Sequence, residues 1–205
     1  MSQRRASHTN RCTSCWINRA YCVCDKVAPI SIKTNVSLVV HVRELKLTSN
    51  TAQFVKKLIP EQGEIFIRGR VHETFDASPI LEREGTPIFL YPHEDSIELN
   101  DDFLKSHPGP FNLIVPDGNW HQARKVKKRE PKFSGLMAVK LPAGIVGEYQ
   151  LRRAPQPEWV STYEAVAHAL AVLEGGEVRD HMMDFFRHWV KTTMQARFVP
   201  NLPES

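Results

Sequence analysis

Four cysteines are the side chains in this sequence best suited to binding a metal ion. All the cysteines of the 205-residue chain fall in one short segment, at Cys12, Cys15, Cys22 and Cys24. In a reducing compartment such a cluster is more typical of a metal site than of two disulfides, and four thiolates complete the tetrahedral shell of a structural Zn²⁺ ion. The second pair is spaced more tightly than in a usual zinc ribbon, so free or redox-active thiols remain the alternative.

The segment that ends at Asp117 is the second candidate for chemistry. Residues 113–116 are apolar and predict a buried strand, and Asp117-Gly118 follows it directly. In open α/β sheets ligands bind beyond the carboxyl ends of the strands, where a carboxylate can act as a general base or hold a donor group. Asp-Gly is also a common turn dipeptide, and Asn119 could cap a helix. The spacing alone therefore leaves Asp117 as either a base or a turn residue.

A helix with a cationic outer face is predicted after Asp117. Its inward positions are Ala123 and Val126, and its outer face carries Arg124, Lys125, Lys127, Lys128 and Arg129. Clustered cations bind phosphates and release counterions, and more arginines lie near the cysteines, at Arg4, Arg5, Arg11 and Arg19. A solvated helix face is the competing interpretation. Trp120 could stack on a nucleobase, although a tryptophan is more often packed in a core.

The composition excludes some classes of function. Hydrophobic residues make up 41% of the chain and charged residues 24%, and no apolar run approaches the ~20 residues of a membrane span. The polar N-terminus lacks the apolar region of an export signal, so we expect a cytoplasmic protein without a membrane partner. The sequence contains neither a Gly-rich dinucleotide loop nor a P-loop, which argues against a nicotinamide cofactor or a nucleoside triphosphate.

Short β-branched stretches alternate with helical or turn-forming segments, which predicts an α/β fold. The first stretch, 35–42, is nearly all apolar and suits a strand buried on both faces of a parallel sheet. Candidate N-caps at Thr48, Ser49 and Asn50 predict a helix that stops at Pro60. Further strands are predicted at 64–67, 87–91, 112–116 and 136–141.

The last third of the chain is predicted to be helical. Ser161 precedes Glu164 by three residues, which is the capping-box pattern, and a helix follows to Leu173. Gly175 and Gly176 end it, and a long amphipathic helix follows, with an apolar stripe that we assign to the core. The members of that stripe are Met182, Phe185, Phe186, Trp189, Val190 and Met194.

The order of five motifs along nearly the whole chain resembles the DTW-domain family. The motifs are Cys12-x2-Cys15-x6-Cys22-x-Cys24, His41-x2-Glu44 with Asn50-Thr51, Tyr91-Pro92, Asp117-Gly118-Asn119-Trp120, and Ser161-Thr162-x-Glu164-Ala165. None is specific alone, but the order is similar to that of the bacterial tRNA-uridine aminocarboxypropyltransferases. The family is named for Asp-x-Thr-Trp, and this chain has Asn119 at the Thr position. Asn also has a short hydrogen-bonding side chain and is a good N-cap.

The resemblance implies a fold and a domain division. The family belongs with the SPOUT-like proteins, so it implies a mostly parallel sheet with a C-terminal trefoil knot that binds S-adenosylmethionine. It implies a cysteine-rich zinc-binding element at 1–30 and a catalytic domain at 31–205. Knots are rare enough that the residues alone would not predict one.

The resemblance also implies an activity, in which the 3-amino-3-carboxypropyl group of S-adenosylmethionine moves to N3 of a tRNA uridine and 5'-methylthioadenosine leaves. Asp117 would be the base and Trp120 would stack on the uridine, while the cationic helix would hold the tRNA backbone. The residues expected to contact S-adenosylmethionine are Leu90, Tyr91, Pro92, Pro116, Gly118, Leu141, Ser161, Thr162, Glu164 and Ala165.

Two other functions remain open at this point. A SPOUT-like RNA methyltransferase would deliver the methyl group of the same donor and release S-adenosylhomocysteine. A non-catalytic, zinc-stabilised RNA-binding module would equally explain the cysteines and the cationic segments.

Overall fold

The fold is built on a six-stranded sheet in a computed structural model that describes residues 10–45, 47–117, 126, 127, 129–152, 156 and 159–198. The strands are β1 (Asn35–His41), β2 (Gly63–Arg68), β3 (Thr86–Leu90), β4 (Ile97–Glu98), β5 (Phe111–Asp117) and β6 (Met137–Lys140). Their order across the sheet is β2-β1-β5-β3-β6-β4, and every pair is parallel. The predicted α/β fold with a mostly parallel sheet is confirmed.

The two central strands explain the apolar runs in the sequence. All seven residues of β5 are buried, as are the inner five of β1, because other layers cover both faces of the sheet. The register pairs Val40 with Asp117 and His41 with Arg68. The carboxyl ends of β1, β2 and β5 therefore meet at one edge of the sheet.

Within the described residues, five α-helices with defined bounds lie between and after these strands. They are α1 (Ala52–Leu58), α2 (Ser78–Leu81), α3 (Asp101–Ser106), α4 (Thr162–Leu173) and α5 (Gly176–Phe198). The prediction missed α2, α3 and β4, which are too short to show a hydrophobic period. Single 3-10 turns occupy Arg19–Tyr21, Cys24–Lys26, Val42–Glu44 and Pro131–Phe133. Among the described residues, the helices all lack the combination of length and apolar content that a bilayer crossing requires.

The helix boundaries follow the expected capping chemistry. Asn50 Oδ1 accepts a hydrogen bond of 3.1 Å from the N–H of Gln53 in the first turn of α1. At α4 both halves of the capping box form between Ser161 and Glu164. Gly175, with φ of +121°, separates α4 from α5 in a conformation that favours glycine.

The long helix α5 packs its apolar stripe into the core as predicted. Met182, Phe186 and Trp189 are at most 1% exposed. The ring centroids of Trp189 and Phe54 lie 4.9 Å apart, which joins α5 to α1. The main core therefore includes helices from both ends of the chain.

The cysteine-containing segment packs against this same core. Cys15, Ile17 and Val23 are at most 1% exposed and belong to the main apolar cluster. A hydrogen bond of 2.7 Å between His181 Nε2 and the carbonyl oxygen of Ala28 ties the segment to α5. The domain boundary at residue 30 and the trefoil knot stay predictions.

Candidate active site

A cavity opens at the edge of the sheet where the parallel strands end. It has a volume of about 540 Å³, within the range of small-molecule sites. Its walls come from the ends of β3, β5 and β6, from the described segments that follow β1, β3 and β6, and from the start of α4. Apolar side chains form much of the lining, at Leu90, Val115, Pro116, Leu141, Pro142, Ala143, Ile145, Val160 and Ala165.

Asp117 provides a carboxylate in the wall of this cavity. Asp117 as a whole residue is 5% exposed. The hydroxyl of Thr162 donates to Oδ1 over 2.5 Å, and Nδ2 of Asn50 lies 3.5 Å from Oδ2. Asn50 is itself fixed, because the same Nδ2 donates to the carbonyl oxygen of Glu44 over 3.0 Å. The carboxylate is thus oriented from both sides by residues on two different elements.

A second polar network lies at the same end of the cavity. Arg152 donates from Nη2 to Glu44 Oε2 over 2.6 Å and from Nε to Ser49 Oγ over 3.0 Å. The hydroxyl of Tyr149 donates to the carbonyl oxygen of Ser49 over 2.6 Å. Burial raises the pKa of Tyr149, although the nearby Arg152 opposes this, so the phenol remains protonated and can donate. These bonds join residues 149–152 to the segment that orients Asp117.

Most of the residues expected to contact the donor lie around this one cavity. They are Leu90, Tyr91, Pro92, Pro116, Leu141, Ser161, Thr162 and Ala165. Gly118 and Trp120 lie outside the described residues. The structure thus brings together residues from four segments that are distant in the sequence.

Glu164 is the exception among the predicted contacts, because it does not line the cavity. It is 1% exposed, and its carboxylate accepts hydrogen bonds from the main-chain N–H groups of Ser161 and Glu148. These bonds occupy the side chain and fix the start of α4 together with the loop before it. The prediction included Glu164 because it belongs to the segment Ser161 to Ala165, which the family resemblance assigns to the donor.

Cationic side chains gather on the neighbouring part of the sheet edge. Arg68 ends β2, and burial and the proximity of Arg129 both lower its pKa. Burial, Arg68 and Arg43 lower the pKa of His41. Arg43 and Arg129 are exposed, and Arg68 is half-buried. We refer to Arg43 and Arg68, which lie near the His41 imidazole, together with Arg129 as the cationic surface.

Only part of the predicted cationic helix falls within the described residues. Val126 is 2% exposed, as expected for an inward position, and Arg129 is exposed. Lys127 is half-buried and donates from Nζ to the carbonyl oxygen of Leu136 over 3.0 Å, so part of its hydrogen-bonding capacity is already used. Ala123, Arg124, Lys125 and Lys128 lie outside the described residues.

The four cysteines form a cluster that could hold a metal ion. Their Sγ atoms all lie within 4.8 Å of one another, with Cys12 and Cys24 4.0 Å apart and Cys15 and Cys22 3.8 Å apart. Burial raises the pKa of Cys15 and of Cys24. Burial also opposes ionisation of Cys12, but hydrogen bonds from the main chain at Cys15 and Ser14 outweigh it and lower the Cys12 pKa to about 6.

The sequence analysis did not assign Ser49, Tyr149 or Arg152 to the site. Ser49 entered it only as a possible helix cap, and residues 142–160 have no hydrophobic period that would place them in space. Glu44 and Asn50 were noticed as part of a motif at the end of β1. The contact between Glu44 and Arg152 spans 108 residues of sequence.

Comparison with known proteins gives a consistent family match. A family model described as the DTW domain matches residues 9–194. The tRNA-uridine aminocarboxypropyltransferase 2 of Drosophila melanogaster is 30% identical over 173 residues, which cover 80% of this chain and 67% of the fly protein. The Macaca fascicularis protein of the same name is 27% identical, over 82% of this chain and 58% of that protein. The chain therefore spans about three fifths to two thirds of these relatives.

Two further matches extend the comparison. The tRNA-uridine aminocarboxypropyltransferase A of Arabidopsis thaliana is 25% identical over 97% of this chain and 86% of the plant protein. Among solved structures, the SAM-dependent rRNA:acp-transferase Tsr3 from Vulcanisaeta distributa matches with a TM-score of 0.48 and 19% identity. That alignment covers 80% of this chain and 78% of the archaeal one.

Proposed function

Since the chain belongs to the DTW domain family, we propose that it transfers the 3-amino-3-carboxypropyl group of S-adenosylmethionine to N3 of a uridine in tRNA. The observation that carries the proposal is the oriented carboxylate of Asp117 in the wall of a largely apolar cavity of about 540 Å³. The names of the fly, macaque and plant relatives support the same reaction and the same RNA class.

The cavity suits the donor in both its size and its polarity. Leu90, Val115, Leu141 and Ile145 offer the apolar contact that a nucleoside base requires. The polar end, with Asp117 and Arg152, suits the charged chain that is transferred. Bound donor would supply an electrophilic methylene next to a sulfonium, which uracil N3 attacks as the C–S bond breaks and 5'-methylthioadenosine departs.

Asp117 would serve as the general base of this step. The N3 proton passes to its carboxylate as the new N–C bond forms, so no charge is left on the uracil. General-base catalysis by a positioned side chain typically contributes about 10²-fold to 10⁴-fold in rate. The hydrogen bonds from Thr162 and Asn50 hold the carboxylate in place and reduce the reorganisation that proton transfer requires.

The tRNA backbone would bind the cationic surface and the cationic helix that the sequence predicts after Asp117. Arg68 ends a strand two positions from β5 in the sheet, or about 10 Å away at the usual strand spacing. Arg43, Arg68 and Arg129 can therefore bind phosphates while a loop uridine reaches Asp117. The cluster of like charges is itself an argument for an anionic partner.

The cysteine cluster would hold a structural Zn²⁺ ion. Zn–S bonds near 2.3 Å separate the sulfurs of a tetrahedral site by about 3.8 Å. The separations of 3.8 and 4.0 Å between the cysteine sulfurs fit that geometry. Four protein ligands leave no position for a substrate, so the ion would stabilise the fold and take no part in transfer.

We further propose a SPOUT-like arrangement with a C-terminal knot, and a cytoplasmic location. The parallel sheet and the cavity at its carboxyl edge, lined by residues 142–145 and 159–162, support the SPOUT-like arrangement. The relatives are named for an action on tRNA, and this supports the cytoplasmic location.

The experiment that tests the function is incubation of the purified protein with unmodified tRNA and S-adenosylmethionine. Mass spectrometry then identifies both the small product and the modified nucleoside. Methylthioadenosine with a uridine carrying the aminocarboxypropyl group is the expected result. S-adenosylhomocysteine with a methylated nucleoside would indicate a methyltransferase instead, and tight tRNA binding without either product would indicate a binding module.

A further inference from the structure

The transferred group carries its own charges, and the proposed function requires the protein to recognise them. The aminocarboxypropyl chain of the donor ends in a carboxylate and an ammonium group. A carboxylate that enters a half-closed cavity loses hydration and requires charged or hydrogen-bonding partners there. The same donor can be bound so that its methyl group faces the acceptor, so the chain must be held in one orientation.

Arg152 is the cation that the structure connects to the segment orienting the proposed base. Of the cavity-lining residues that the structure describes, Lys140 and Arg152 are the cations. Lys140 ends β6, two strands away from β5. The cavity wall next to Lys140 is apolar. Arg152 instead bonds to Ser49, whose neighbour Asn50 lies 3.5 Å from the Asp117 carboxylate.

The hydrogen bonds of Arg152 leave part of its guanidinium available. Nη2 and Nε donate to Glu44 and Ser49, while Nη1 makes no hydrogen bond to any residue that the structure describes. The side chain is 36% exposed and that of Glu44 is 11% exposed, so the pair lies at the surface of the cavity with Arg152 the more accessible. A guanidinium presents five N–H donors in a planar fork, which matches a carboxylate.

Glu44 completes a pair of charges complementary to the donor. Its Oε2 accepts from Arg152, and the carboxylate can also accept from an ammonium group. An isolated ion pair that is largely withdrawn from water adds little net stability, because the loss of hydration offsets the attraction of the charges. A cavity wall that carries both signs of charge side by side matches an amino acid zwitterion.

We propose that Arg152 binds the carboxylate and Glu44 the ammonium of the donor's aminocarboxypropyl chain, and that this anchoring presents the chain, rather than the methyl group, to the uridine. Arg152 is then a specificity-determining residue of the proposed reaction. The inference rests on the proposed function, because it assumes that the cavity binds S-adenosylmethionine.

Binding of three related ligands tests the inference. The dissociation constants of S-adenosylmethionine, decarboxylated S-adenosylmethionine and methylthioadenosine are measured by calorimetry for the wild type, Arg152→Gln and Arg179→Gln. Arg179 is a matched control, since its ion pair with Asp180 lies outside the cavity. We expect the wild type to prefer S-adenosylmethionine over its decarboxylated form by about 10-fold to 100-fold, as for a charge-assisted hydrogen bond.

Arg152→Gln should reduce this preference to near unity while methylthioadenosine, which lacks the chain, binds as before. Arg179→Gln should retain the full preference. An unchanged preference in Arg152→Gln would overturn the inference and leave the Arg152–Glu44 pair with a structural role. Failure of the wild type to bind either S-adenosylmethionine or methylthioadenosine would instead overturn the proposed function, and the inference with it.

A second variant covers the case in which Arg152→Gln also loses methylthioadenosine binding through misfolding. Arg152→Lys retains the positive charge without the planar fork. It should keep a reduced preference for S-adenosylmethionine, intermediate between unity and that of the wild type. A preference equal to that of the wild type, or one already at unity, would count against carboxylate binding by the guanidinium.

Discussion

The hydroxyl of Thr162, in the first turn of α4, donates a hydrogen bond of 2.5 Å to Oδ1 of Asp117, the last residue of β5. The bond connects the C-terminal helical region to the centre of the sheet across 45 residues of sequence. It fixes one oxygen of the proposed base, and Asn50 lies 3.5 Å from the other. The orientation of the base therefore depends on the docking of α4 against the strand ends.

Asp117→Asn should abolish group transfer without loss of the donor site. The amide has nearly the same shape and can still bond to Thr162, but it cannot accept the N3 proton. We expect the turnover rate to fall by at least about 10²-fold, while the dissociation constant of S-adenosylmethionine changes little. Single-turnover kinetics with unmodified tRNA measures the rate. A variant that retains the wild-type rate would exclude Asp117 as the base.

Thr162→Val should slow transfer through misorientation of Asp117. Valine preserves the branched shape and removes the donor, and a hydrogen bond to a charged group contributes about 1.5–3 kcal/mol. The corresponding fall in turnover is about 10-fold to 100-fold if that contribution is fully expressed in the transition state. Thr162→Ser retains the hydroxyl and is the matched control. Equal rates in the valine and serine variants would show that the hydroxyl contributes nothing to the step.

The sequence correctly predicted those helices and strands whose formation depends on residues that are close together in the chain. The strand 112–116 was recognised because both faces of β5 are buried and its apolar run is unbroken. The start of α4 was recognised because Ser161 and Glu164 satisfy each other's main-chain groups within one turn. In contrast, α3 spans only six residues, and little besides the cap at Asn100 marks it in the sequence.

The sequence predicted the parts of the candidate site that lie at strand ends. It missed the parts that lie in loops. Pro92 and Pro116 were placed on the donor site because family motifs coincide there with strand ends. Arg152 lies in a loop whose position depends on its contacts with Glu44 and Ser49, which are distant in the sequence. Such contacts are set by tertiary packing, and a single sequence gives no direct measure of them.

Cys15→Ser should remove the metal and destabilise the protein. Cys15 is completely buried, so its loss leaves both an incomplete ligand set and a polar group in the core. Mass spectrometry of the purified wild type should find one zinc ion per chain. We expect the variant to lose at least about 3 kcal/mol of stability, or roughly 10 °C in Tm.

The exposed neighbour Ser14 offers the control for this substitution. Ser14→Ala should retain full zinc occupancy and most of the wild-type Tm, because the main-chain N–H that donates to Cys12 Sγ is kept and the Ser14 hydroxyl, which bonds to Lys57 Nζ, lies outside the set of four ligands. A metal-free wild type with the same Tm as Cys15→Ser would show that the cluster consists of free thiols.

Arg68→Gln and Arg129→Gln should each weaken tRNA binding and make it less dependent on salt. Loss of one phosphate contact lowers the slope of log K against log salt concentration by about 0.7 to 0.9. Filter binding at several salt concentrations gives this slope. Lys105→Gln removes an exposed cation of α3 that pairs with Asp102, and it should leave the slope unchanged. If Arg68→Gln and Arg129→Gln both keep the wild-type slope, as the control Lys105→Gln should, the cationic surface does not contact RNA.

The stability of the fold should fall between pH 7 and pH 5, in part because of His168. This side chain on α4 is half-buried, and burial, followed by Arg179, lowers its pKa below 6.5, although Glu148 opposes the shift. As the pH falls through about 6.5, the unfolded chain therefore binds a proton before the folded chain does. The contribution of His168 to the free energy of unfolding is complete above about pH 6.5. It is lost as the pH falls towards the pKa of His168 in the folded chain.

His168→Gln should remove this contribution and flatten the pH dependence of the free energy of unfolding, measured by urea denaturation. For one proton the slope cannot exceed about 1.4 kcal/mol per pH unit, which sets the upper limit of the change. His188→Gln, at an exposed position of α5, is the matched control and should leave the profile as it is. A slope that is the same in His168→Gln as in the wild type would mean that the imidazole is protonated equally in the folded and unfolded chains.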